Sequence, residues 1–228
     1  MRYFFCLMLG LGISALSGQN SYQFKAGVSL PVGDYGASEG LSAGFARQGF
    51  SIQGISKFAL ANDRFALGLH FSYQRHYYDE AALMSEVEEL IDPVNSAEIY
   101  SLGFNPVLLG FGLSYQIPLF YQLSVGLSAY PGILFTNSGP IHVIIKNPQD
   151  ITVLNEIIDF SDPLSFGYSL GLDFKYGLNK KFDLILFADY QSARHQYERF
   201  LRTLPGFSEK GVLNLTYLNL GLGFEMRL

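Results

Sequence analysis

Leu218-Asn219-Leu220-Gly221-Leu222-Gly223-Phe224-Glu225-Met226-Arg227-Leu228 alternates without a miss. Even positions are apolar; odd positions are Asn, Gly, Glu or Arg. Successive side chains of an extended strand leave on opposite faces, so this strand has one apolar face and one small or polar face. A soluble sheet could set one such strand against its core. Here about eight stretches carry the pattern, with polar faces rich in Gly and Ser. That is the signature of a transmembrane β-barrel, apolar toward lipid and polar toward a lumen. With Val212–Leu228 as the closing strand, the expected fold is all-β: an antiparallel, up-and-down barrel.

Composition agrees. The 228 residues suit one barrel domain. Charged residues make up 15%, against roughly 25% in ordinary soluble domains, as lipid-facing strands require. The 15 Tyr and 20 Phe suit strands meeting lipid and an aromatic belt. No basic patch appears and the formal charge is −5, so nucleic acid is not expected as a partner.

Residues 1–19 read as a cleaved signal peptide. Arg2 gives a positive start, and Tyr3 to Leu16 forms an apolar run of 14 residues. A helical span needs about 20. Small and polar residues follow at Ser17, Gly18 and Gln19. The sole cysteine, Cys6, falls in this segment, so the expected mature domain, 20–228, offers no disulfide, thiol or Cys-metal chemistry.

In chain order, strands are expected at 22–30, 50–60, 65–77, 98–117, 122–135, 165–178, 182–192 and 212–228. Pro106 should bend the fourth strand and Pro131-Gly132 should mark a bulge in the fifth. Connections run long, short, long, short, long, short, long. Eight strands with short periplasmic turns, long outer loops and both termini periplasmic fit that rhythm; ten would require both halves of the longest loop to span. Segment Glu80–Ile91 reads as a short helix capped by Asp79. Within 137–163, the apolar patches Ile141–Ile145 and Ile151–Ile158 read as a hairpin, or the second as a helix capped by Asp150. The last loop is expected at 193–210. Tyr73, Tyr115, Tyr176, Tyr190 and Tyr217 are candidates for interfacial girdles.

Three features together resemble a known family: a leader ending in Gln19, the strand Lys25-Ala26-Gly27-Val28-Ser29-Leu30-Pro31, and the ending Gly221-Leu222-Gly223-Phe224. They are similar to the small outer-membrane barrels of Bacteroidota, the PorT-like or OmpX-like group. The resemblance implies an outer-membrane location and barrel fold. It implies no activity, and a role in secretion does not carry over with it.

Candidate functional residues follow from the inward faces. Lys25, Lys57, Asp173, Lys175, Asp183, Glu225 and Arg227 should form a lumen charge cluster, with Lys25 and Glu225 brought close where the first and last strands pair. The lumen of an eight-stranded barrel is just wide enough to be filled by side chains. A salt-bridged plug is the leading expectation, giving a non-enzymatic structural or interaction barrel; a narrow solute channel is the alternative. A lipid-modifying enzyme is a second alternative, resting on His70 beside Ser72 and on His76 and His195 near Glu80 and Glu198. The acidic loop with Glu86, Glu88 and Glu89 lacks the spacing of a calcium loop, so no metal or cofactor is expected. Loops 78–97 and 137–163 are candidate partner surfaces. Leu222, Phe224, Met226 and Leu228 suit a C-terminal signal for barrel-assembly machinery.

Overall fold

The computed structural model describes residues 20–37, 44–60, 64–90, 96–100, 103–136, 141–159, 164–201 and 208–228. The expected signal peptide lies outside them. The strands are β1 (Asn20–Pro31), β2 (Ala46–Ala59), β3 (Phe65–Tyr78), β4 (Ser96–Tyr100), β5 (Pro106–Pro118), β6 (Leu123–Thr136), β7 (Ile141–Lys146), β8 (Thr152–Asp159), β9 (Leu164–Gly177), β10 (Phe182–Leu201) and β11 (Ser208–Arg227). The helix α1 (Glu80–Leu90) follows β3.

Eight strands close into an antiparallel barrel in the order β11-β1-β2-β3-β5-β6-β9-β10, and β10 pairs back onto β11. At the β11–β1 seam Phe24 faces Phe224 and Gly27 faces Gly221. The glycines are needed there: a Cβ on Gly27 would fall 2.0 Å from the Leu220 carbonyl oxygen. Closure leaves the barrel no open edge.

The alternation read from the sequence is the alternation of the wall. Phe24, Val28, Ile52, Phe111, Leu170 and Leu222 are exposed on the outside. Gln23, Lys25, Ser29, Ser51, Gln53 and Lys57 are buried inside. The protein therefore presents apolar residues outward and polar residues inward, the reverse of a soluble domain. No helix among the described residues is long and apolar enough to cross a membrane.

Four expectations are corrected. The stretch 98–117 is not one bent strand: Pro106 opens β5, and Ser96–Tyr100 pairs with β7 instead. Proline has no N–H for the ladder, so a strand start tolerates it. Pro131-Gly132 makes no bulge. Pairing with β9 runs straight through them, and the β5 ladder resumes beyond them in the same register. The last loop is not 193–210, because β10 and β11 stay paired from Phe182↔Met226 out to Phe200↔Ser208. Tyr217 is no girdle residue; it points inward and is 1% exposed. It has the parity of Asn219 and Glu225, which the alternation itself assigns to the lumen. Lys25 and Glu225 lie on the same face of adjacent strands, one alternate position apart, and bond to different partners.

The longest loop is the expected hairpin. Ile141↔Ile158 and Ile145↔Leu154 pair across β7 and β8, so the second patch is a strand. Asn147 closes the turn by accepting the Gln149 and Ile151 amides at 3.0 and 2.9 Å. β8 then pairs with the far end of β10 and β7 carries β4 at its outer edge, adding a three-stranded sheet above the barrel. Helix α1 starts as expected: Asp79 Oδ1 accepts the Ala82 amide at 3.1 Å.

Candidate functional site: a filled lumen under an apolar cap

The lumen holds a charge ladder. In the middle, Lys25 of β1 reaches across to β9 and β10. Its Nζ lies 2.6 Å from Asp173 Oδ1 and 3.3 Å from Asp189 Oδ2, with all three side chains at most 3% exposed. The same ammonium sits 5.0 Å from the centre of the Phe187 ring. One turn-end lower, Lys175 Nζ donates to Glu225 Oε2 at 2.6 Å. Glu225 also accepts Ser21 Oγ at 2.5 Å and Gln23 Nε2 at 2.9 Å. Arg227 pairs with Asp183 at the rim. Lys57 lies in the field of Lys175, Glu225 and Asp173 without hydrogen-bonding to them.

All seven expected lumen residues thus share one interior, with Lys25 and Glu225 bonded to different partners. In the seam register Lys25 lies opposite Gly223 and Glu225 opposite Gln23. A glycine leaves Lys25 free to extend across the lumen to β9 and β10, where two carboxylates wait. Asp189 is the eighth member. Its strand has a mixed inward set, with Ile185 and Phe187 also buried; only its parity with Asp183 marks it. A buried charge must be paired and hydrogen-bonded, and this network does both for most of its members.

Above the charges lies a polar layer. Ser72 Oγ and Gln74 Nε2 both donate to Gln191 Oε1 at 3.0 Å. His70 stacks on Tyr130, ring centres 5.0 Å apart, with Nε2 3.3 Å from Gln53 Oε1. His70 and Ser72 are therefore committed to different partners. His76 Nε2 lies 3.1 Å from Ser29 Oγ and its Nδ1 lies 3.3 Å from the Arg47 carbonyl. His195 lies between Thr136 Oγ1 at 3.1 Å and Ser165 Oγ at 2.8 Å. Neither ring sits at an open rim: both are 0% exposed. The side chains of Glu86, Glu88, Glu89 and Glu198 lie outside the described set. No group of three or more potential metal-ligating side chains occurs among the described residues.

The mouth is closed by an apolar cap. A tight turn at Gly33–Gly36 drives Tyr35 inward to 0% exposure. Its ring meets His76, Phe104 and Tyr217 at 5.3, 5.4 and 6.2 Å. Phe104 is held by reciprocal backbone hydrogen bonds to His76, each 2.9–3.0 Å. Ile141, Val143 and Ile145 of β7, with Leu83 of α1, belong to the same cluster. The apolar patches of the longest loop thus fold over the mouth. Tyr35 carries no sequence signal of its role, sitting in a Gly-rich loop. Phe104 falls in the stretch read as strand four.

No protein-family model matches the chain, and no curated protein matches it. Solved structures do. The crystal structure of Neisserial surface protein A superposes with a TM-score of 0.52 over 92% of this chain and 97% of that one, at 11% identity. The outer membrane protein OprG from Pseudomonas aeruginosa gives 0.50 over 93% and 99%, at 9% identity. At such identities the likeness is one of fold: this chain is built as a small eight-stranded barrel of the kind found in outer membranes.

Proposed function

We propose that the protein is a non-enzymatic outer-membrane barrel that acts through its loop end. The observation that carries this reading is the double closure of the interior, by the Lys25–Asp173–Asp189 and Lys175–Glu225 network below and the Tyr35–Phe104 cap above. A lumen filled in this way leaves the outer sheet and loops as the working surface. Ile151 and Val153 of segment 137–163, and Tyr100 just beyond segment 78–97, are exposed at that end and suit contact with a protein partner. The short turns and both termini share one end, which we assign to the periplasm. Leu222, Phe224, Met226 and Leu228 form the signal for the assembly machinery. Kinship with the PorT-like barrels of Bacteroidota belongs to the same reading.

Planar-bilayer reconstitution tests it. The expected trace has no steady open level. A stable ohmic conductance would replace this reading with a solute channel.

A further inference from the structure

At the terminus end the lumen widens into a cavity of about 230 Å³, room for several waters at roughly 30 Å³ each. Its charged wall is Lys57, Arg64, Lys175, Glu225 and Arg227. The pairs within this wall are already made. Glu225 accepts Ser21, Gln23 and Lys175. Arg227 is taken by Asp183, and Lys175 also reaches Gln116 Oε1 at 3.3 Å.

Two cations are left over. Lys57 is only 6% exposed, and among the described residues its ammonium has no hydrogen-bond or ion-pair partner. Arg64, the residue before β3, likewise has no side-chain partner among them. The carboxylates nearest in field to Lys57, Glu225 and Asp173, are already bonded to Lys175 and Lys25, so the cavity wall keeps an excess of positive charge that an anion would offset. Deeper in, one lysine faces two carboxylates, Asp173 and Asp189. That surplus of negative charge bars an anion from travelling further up the lumen.

We infer that this cavity is a blind binding site for a phosphate-type oxyanion, held between the Lys57 ammonium and the Arg64 guanidinium. A guanidinium fork matches the oxygens of phosphate, and an ammonium adds a point charge. Ser114 and Gln116 supply polar wall beside them. The ligand is either free phosphate or the headgroup of a phospholipid at that face.

The test uses the whole barrel folded in a non-ionic detergent. Inorganic phosphate is titrated in at constant ionic strength, with chloride as control, and amide shifts are followed by NMR. The expected result is saturable one-site binding, with shifts at Lys57, Ser114 and Gln116. Lys57→Gln and Arg64→Gln should each weaken it by about tenfold, the loss of one charge-assisted contact; Lys57→Arg should retain it. Arg64 lies at the surface, so Arg64→Gln keeps the test alive if Lys57→Gln fails to fold. A second arm places the barrel in nanodiscs without free phosphate. Shifts at the same amides with phosphatidylglycerol but not with phosphatidylcholine identify a headgroup as the ligand. No saturable shift in either arm, or equal binding by both glutamine variants, overturns the inference. Bilayer conductance is read separately, so failure here leaves the closed-lumen reading standing.

Discussion

Lys175 and Glu225 meet across an intervening strand. Lys175 lies opposite Ile185 and Glu225 opposite Asp183 on β10, yet their side chains bridge over it at 2.6 Å with no more than 6% exposure. Such a bond ties β9 to β11 from inside and is screened from salt by the wall around it.

Breaking one side of this pair should be costly. Removing one partner of a buried ion pair strands the other charge, at about 3–5 kcal/mol. Glu225→Leu should lower the urea midpoint of the barrel in vesicles accordingly. Lys175→Met with Glu225→Leu should be more stable than the sum of the single losses. Strict additivity would show that the two residues are not coupled.

The lipid face gives a second expectation. Leu222 and Phe224 are exposed on the outer wall beside the seam. Leu222→Arg or Phe224→Arg places a charge in hydrocarbon, at about 2–4 kcal/mol near the midplane. Both variants should fail to give heat-modifiable barrel in membranes. Normal assembly of either would contradict the lipid-facing assignment.

The cap should be separable from the barrel. Phe104 is 0% exposed and lies against Tyr35 and Tyr78. Phe104→Ala should cost about 3–5 kcal/mol of cap stability. Limited proteolysis of vesicles should then cut within segment 137–163 faster, while the gel shift of the folded barrel persists. Loss of both together would mean that cap and barrel unfold as one unit.

Asp79 gives a pH dependence outside the membrane-spanning part. Burial works to raise its pKa, but the Ala82 amide, the Arg47 guanidinium at 2.9 Å and the Ala81 amide outweigh that effect. The carboxyl is therefore held below its ordinary value. A depressed folded pKa means the stabilisation is full above the unfolded pKa and is lost as pH falls through the folded one. The protection of the first-turn amides of α1, taken relative to their intrinsic exchange rate at each pH, should thus hold at neutral pH and fall only below the usual carboxylate range. Asp79→Ala should remove this dependence and about 1 kcal/mol of helix stability.

The barrel wall was legible in the sequence because lipid and lumen impose a strict two-residue period, and Phe24 through Leu222 obey it. The hairpin Ile141–Asp159 was legible as one of two options. What escaped was set at long range. Alternation says which face Lys25 is on, not that Gly223 opposite it leaves room to reach Asp173 and Asp189. Likewise nothing local distinguishes a loop from β10 and β11 beyond Ala193, since Arg194, Gln196 and Glu198 look like ordinary solvated residues. Tyr35 is buried by contact with Tyr217, a neighbour 182 positions away in the chain, which no local pattern encodes.

The long β10–β11 ribbon has a consequence for the order of assembly. The outer sheet of β4, β7 and β8 is anchored to the barrel through Glu198–Leu201. Residues 96–159 leave the ribosome well before that anchor. β9 holds β10 from Asp183 to Ala193, but the far end that carries the anchor has β11 as its other neighbour. The edge of the lid sheet is thus tied to the barrel by one of the last parts of the chain to be made, while Tyr35 and Phe104 dock on β3 without it.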